Sequence, residues 1–194
     1  MVGNRWEGDM SGVVVFVGDG LSAGARWEER LSEFEVHNLG VSGDTTDEVI
    51  ARLDTVVEID PDAVVLQVGT NDVGWHRSDE YIVRNIETIL CTLRKKLPGT
   101  RMLIQSVPPR ERDAVRVIRS INRHLRQFAP TVKARYLDLW PALADTQGKL
   151  SAEWSTDSLH LTEAGYVVWL AELRPALLDL LEHPATLPIS TQPA

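Results

Sequence analysis

A single cysteine, Cys91, is all the thiol chemistry this chain holds. It excludes an internal disulfide and any multi-cysteine metal site. Its position inside an apolar helical pattern predicts a buried structural thiol. An excess of basic residues is also missing: Lys and Arg number 20 against 28 Asp and Glu, a formal net charge of −8. Such a chain does not present itself as a partner for nucleic acid or for an anionic membrane. No apolar run is long enough for a membrane span. The opening residues Met1 to Glu7 lack the apolar core of a signal peptide, so a cytoplasmic protein is expected. His37, His76, His124 and His183 show no ligand spacing, so no metal is expected. The stretch from Gly18 to Gly24 has neither the Lys-Ser/Thr ending of a P-loop nor the Gly-x-Gly-x-x-Gly fingerprint, and no nucleotide cofactor is expected.

The 194 residues, 43% of them apolar and 25% charged, suffice for one well-buried domain and are short for two. Residues 1–183 are read as that domain, after a loose lead-in at 1–12, and 184–194 as a mobile tail of low apolar content. Val13 to Val17 is a short β-branched run entering Gly18-Asp19-Gly20, which reads as a buried strand, a sharp turn and a helix start. Trp27 and Leu31 lie on one side of that helix. Further strands are predicted at Glu35–Leu39, Ala63–Val68, Met102–Val107 and Ala134–Leu139. Between them the apolar residues recur at spacings of three and four, as in Val49, Ile50, Leu53, Val56 and Val57, or Ile82, Ile86, Ile89, Leu90 and Leu93. Thr45 and Glu48 fit a capping box. The last helix begins near Thr162, and Pro175 either kinks it or starts a second segment. Strands alternating with helices predict a parallel, doubly wound α/β sheet covered on both faces.

Four motifs fall at strand ends or in loops, where α/β enzymes keep their reactive groups. They are Gly18-Asp19-Gly20-Leu21-Ser22, Gly40-Val41-Ser42-Gly43-Asp44, Gly69-Thr70-Asn71-Asp72 and Asp157-Ser158-Leu159-His160. In this order the set resembles blocks I, II, III and V of the SGNH (GDSL) hydrolases. Gly43-Asp44-Thr45-Thr46 and Leu159-His160-Leu161-Thr162 are most similar to the branch of the platelet-activating-factor acetylhydrolase catalytic subunits. The resemblance runs from about residue 13 to about residue 180. It implies a flavodoxin-like three-layer α/β/α sandwich with five parallel strands in the order 2-1-3-4-5. It also implies hydrolysis of short-chain carboxylic esters, acetyl esters above all, without a cofactor, and a homodimer.

The residues fit acyl transfer. Asp157 and His160 stand three apart, so one turn brings the carboxylate to the imidazole, fixing its tautomer and stabilising the imidazolium. A lone Asp-x-x-His is more often structural; the other three motifs reverse that weighting. By resemblance, Asn71 is an oxyanion donor together with the N–H groups of Gly43 and Gly20. Asn71 could equally cap the turn after its strand, and the two roles are compatible. Asp19 is read as holding its turn. Leu21, Thr70 and Leu159 flank the motifs and are candidates for a small acyl pocket, with Trp75 and Trp154 at its entrance. Arg110, Arg112, Arg116, Arg119, Arg123 and Arg126 read as a solvated face paired with acids, or else as a site for an anionic group or a partner.

One element of the family pattern is absent. Gly20 stands where the resemblance places the nucleophilic serine, and glycine has no group to attack a carbonyl. Ser22, in the first helical turn, and Ser42 are poorly placed substitutes. The chain is therefore expected to be largely inactive while still able to bind an ester or its product. Two readings stay open: a single Ser→Gly change in an esterase, and a pseudoenzyme that binds a ligand or partner. An acyltransferase would use the same site. Retention of Gly43, Asn71, Asp157 and His160 favours the single change.

Overall fold

The computed structural model describes residues 12–186. The expected lead-in, save Gly12, and the tail from 187 onward lie outside the described residues. Strand β1 (Val13–Gly18) is followed by two short helices, α1 (Gly20–Gly24) and α2 (Trp27–Arg30). Then come β2 (Glu35–Gly40), α3 (Thr46–Ala51), α4 (Leu53–Ile59), β3 (Ala63–Gln67), α5 (Thr70–Gly74) and α6 (Asp79–Lys96). The chain continues through β4 (Arg101–Gln105), α7 (Val115–Phe128), β5 (Ala134–Leu137), α8 (Trp140–Leu143) and α9 (Glu163–Glu182).

All strand pairings are parallel, in the order β2-β1-β3-β4-β5. Because side chains alternate along a strand, β1, β3 and β4 feed two separate cores. Val15, Val17, Val64, Leu66, Met102 and Ile104 pack with α3, α4, α6 and α7. Val14, Phe16, Ala63, Val65 and Leu103 face the other way, onto α1, α2, α8 and α9. This two-sided burial explains why the strands read as continuous apolar runs. The chain leaves β1 toward one face and β2 toward the other, so a crevice opens at the carboxyl ends of β1 and β3.

Several local expectations change. The helix after Gly20 is two pieces, joined by extended backbone at Ala25. The helix after Thr45 is divided at Arg52, which leaves helical geometry at φ −116°, ψ 16°. Helix α9 runs without a break through Pro175. Leu173 and Leu177 on either side are fully buried, and their packing outweighs the hydrogen bond that proline removes. Cys91 is exposed, not buried. The buried face of α6 is Ile82, Ile86, Ile89, Leu90 and Leu93. At about 100° per residue Cys91 lies about 180° from Ile82, on the solvent side.

Two buried carboxylates hold the turns at the crevice. Asp72, fully buried, accepts the Thr46 N–H at 2.9 Å and the Thr46 hydroxyl at 2.8 Å. Its Oδ1 also takes Arg77 at 3.1 Å. It thereby joins the start of α5 to the start of α3, 26 residues away. The Glu48 carboxylate accepts the Thr45 N–H at 2.8 Å, the reciprocal arm of the capping box. Asp19 caps α1 by accepting the Leu21 N–H at 3.0 Å. Burial pushes its carboxyl up from the ordinary 3.8 to about 7, against the opposing pull of the Leu21 N–H.

Replacing Asp72 by alanine leaves the Thr46 N–H and Arg77 without their buried acceptor. A loss of about 3 kcal/mol in unfolding free energy is expected, read by urea denaturation. Asp19 predicts a pH effect. Because the folded chain holds this proton to higher pH than the unfolded chain, Asp19 costs stability progressively from about pH 4 to about pH 7, and no further above. Relative to the parent, Asp19→Asn should therefore gain roughly 1–4 kcal/mol on going from about pH 4.5 to about pH 8. Parallel curves for the two proteins would refute the raised carboxyl.

Candidate active site

The turn after β1 is built by close approach. A Cβ on Gly18 would stand 2.0 Å from the Gln67 carbonyl oxygen, so only glycine lets β1 pass β3 here. Gly20 is different. Its backbone lies outside the left-handed region, and a Cβ there would meet the Cα and Oγ of Ser42 at 3.4 Å, an ordinary contact. The fold does not require glycine at position 20, and a Cβ fits there. Ser22 is buried, and its carbonyl accepts the Asn38 amide at 3.0 Å, so it is turned into the packing. Ser42 is exposed beside position 20.

The turn after β2 needs glycine for another reason. Gly43 has φ +87°, and open space surrounds the place of its missing Cβ. The Asp44 N–H closes the turn onto the Val41 carbonyl at 3.2 Å. Arg52 then ties this loop to β1, donating to Asp44 at 2.7 Å and to the Gly18 carbonyl at 2.9 Å. From the turn after β3, the Asn71 amide donates to the Asp44 carbonyl at 2.8 Å. That single bond brings Asn71 to the Gly43–Asp44 turn and uses one of its two amide hydrogens. Thr70 is buried with its polar groups toward Asp19, and Arg110 holds its carbonyl at 2.6 Å.

The fourth motif is a loop ahead of α9. The His160 Nδ1 and the Asp157 Oδ2 are 2.7 Å apart. The other Asp157 oxygen accepts the N–H groups of Leu159 and His160 at 2.9 and 2.7 Å, and the Ser155 hydroxyl at 3.1 Å. This cage needs a sharp bend, and Ser158 takes it with φ 61°. The His160 ring and N–H hold the Asp157 carboxyl well below the usual carboxylate range. It is therefore an anion at neutral pH, fixing the imidazole through Nδ1 and leaving Nε2 without a partner among the described residues. The His160 side chain is 70% exposed.

The loop is tied to the β1 turn through the first turn of α9. The Tyr166 hydroxyl donates to the Leu21 carbonyl at 3.0 Å. Burial and the nearby Asp19 push that phenol to about 12, so it stays a donor. Arg30 also reaches Glu163 at 2.6 Å. Of the candidate pocket residues, Leu21 sits within the packed core with Trp27 and Tyr166, and Leu159 is half-buried in the His160 loop. Trp75 is exposed beside Arg77, and Trp154 packs partly against the core.

Arg52, Arg77 and Tyr166 are supports outside the four motifs, and Asp72, inside the third, has a supporting role that the motif did not assign. Asp72 had a signal, a carboxylate inside a turn ending an apolar strand. Arg52 and Tyr166 had none, since their partners lie 34 and 145 residues away. Among the described residues no group of His, Cys, Asp or Glu is arranged to hold a metal ion. None of the described helices is long and apolar enough to cross a membrane.

Comparison with known proteins agrees with this architecture. The platelet-activating factor acetylhydrolase IB subunit alpha1 of Bos taurus is 30% identical over 179 residues, covering 87% of this chain and 76% of the relative. A GDSL-like lipase from Bacteroides thetaiotaomicron has a TM-score of 0.74 at 22% identity, over 86% of this chain and 88% of that one. An acetylxylan esterase from Geobacillus stearothermophilus has a TM-score of 0.70 at 18% identity, over 91% and 97% of the two chains. At such identities these two structures speak for the fold alone. The model of the GDSL-like lipase/acylhydrolase family matches residues 11–168, and the chain belongs to that family.

Proposed function

We propose that the site is an acyl-ester hydrolase centre of the serine type, for short-chain and above all acetyl esters, from which the nucleophilic hydroxyl at position 20 is missing. The observation that carries this reading is the Asp157–His160 pair at 2.7 Å, retained although position 20 offers nothing to activate. In the parent reaction a serine Oγ at position 20 attacks the ester carbonyl as His160 Nε2 takes its proton. The tetrahedral oxyanion is met by the N–H groups of residues 20 and 43 and the Asn71 amide. His160 returns the proton to the departing alcohol, and the resulting acyl-enzyme is hydrolysed by water in a second pass. Asp157 orients the ring and balances the imidazolium. The similarity to acetylhydrolase subunits supports acetyl esters as the substrate class. The exposure of His160 to solvent supports water as the acyl acceptor, because transfer to an alcohol requires its exclusion.

With Gly20 the chain lacks a nucleophile and is largely inactive, while its oxyanion donors still bind ester or product. The steric freedom at position 20 makes the test direct. Gly20→Ser should raise kcat/KM on a chromogenic acetyl ester by roughly 10³–10⁶-fold, and adding His160→Ala should abolish the gain. A correctly folded Gly20→Ser protein as inert as the parent would end the esterase reading and leave a ligand-binding protein as its successor.

A further inference from the structure

The arginine-rich face of α7 does not take part in the crevice chemistry. It borders β5, the edge strand, two strands away from β3. There a groove of about 460 Å³ is lined by Arg119, Arg123 and Arg126 of α7 with Tyr136, Asp138 and Trp140 opposite. The three arginines lie at positions i, i+4 and i+7, so at about 100° per residue they share one face of the helix.

Their partners are unusual. The Arg119 guanidinium lies over the Trp140 ring, 5.5 Å from its centre, and Arg126 lies over Tyr136 at 5.2 Å. Arg126 also pairs with Asp138, the one carboxylate lining the groove. Arg119 and Arg123 have no ion-pair partner among the described residues. The ring contacts orient guanidinium planes without neutralising them. The balance is three cations against one anion, leaving two positive charges in a chain whose net charge is −8. Pro141, exposed beside the buried Trp140, adds an apolar wall. Past the Arg119–Trp140 stack a second hollow of about 270 Å³ continues along Asp145, Thr146, Gln147 and Gly148, where the Asp145 carboxylate is paired with Lys149 at 3.7 Å.

We propose that this groove binds a phosphate monoester, its phosphoryl group on Arg123 and Arg119 and its organic body against Pro141. A phosphomonoester carries a charge of about −1.5 to −2 at neutral pH, which matches the two uncompensated guanidinium charges. Arginine forks suit phosphoryl oxygens geometrically, and a monocarboxylate would neutralise only half of the charge. The size is that of a small-molecule site.

The probe is phenyl phosphate, titrated calorimetrically into the full chain at low ionic strength, with inorganic phosphate and phenol as comparisons. Saturable binding of phenyl phosphate is expected, tighter than inorganic phosphate and weakening with added salt, with phenol silent. Arg123→Met, an exposed position where the fold is not at stake, should weaken it about tenfold or more. Arg119→Met should do the same, while Arg84→Met, an exposed arginine on α6, should leave it unchanged. No saturable binding, equal binding of phenol or of inorganic phosphate, or an affinity indifferent to Arg123 and Arg119 would each overturn the assignment.

Discussion

The Asp72 carboxylate is the contact on which the crevice depends. A parallel sheet delivers the ends of β1, β2 and β3 to one edge but does not by itself join the loops that follow. Asp72 does so by satisfying the first orphan N–H of α3 from the turn after β3. A charge buried this deeply is tolerated only because every approach to it is a donor: an amide, a hydroxyl and a guanidinium. Arg52 repeats the device on the other side, tying the Gly43–Asp44 loop to β1. With both ties in place Asn71 can reach the Asp44 carbonyl, and the candidate oxyanion donors become one rigid surface.

The other half of the site is held by a different kind of force. The Asp157–His160 loop is exposed, and its internal hydrogen bonds shape it without anchoring it. The anchor is α9, whose Tyr166 and Trp169 enter an aromatic cluster with Trp27 and Phe16. Trp27 stacks on Phe16 of the central strand with ring centres 4.6 Å apart. Burial of these large rings fixes the start of α9 against α2 and β1, and the Tyr166 hydroxyl on the Leu21 carbonyl carries the tie to α1. Position 20 and His160 therefore belong to two elements clamped together by the core.

The glycines of the crevice differ in what they do for the fold. At Gly18 a side chain collides with the neighbouring strand, and at Gly43 the backbone needs a positive φ. Gly20 answers neither need. The surrounding framework is that of the GDSL-like acylhydrolase family, and the turn that carries Gly20 is held by side chains rather than by its own lack of one. The arginine groove at the opposite edge of the sheet has its own charge balance and shares none of these supports.

Much of this was legible in the chain as written. Short strand-like runs, three of them ending in glycine, located five strands, and alternation with helical spacing predicted a parallel sheet, because both signals depend on neighbours a few residues away. The four motifs offered Gly43, Asn71, Asp157 and His160 as candidates for the same reason. Cys91 was misplaced: an apolar pattern names a buried face, but the phase of α6 put this residue opposite it. The breaks at Ala25 and Arg52, the continuity through Pro175 and the roles of Arg52, Arg77 and Tyr166 were settled in three dimensions. Each rests on partners far apart in the chain, and hydrogen bonding and burial across such separations leave no periodic trace in local sequence.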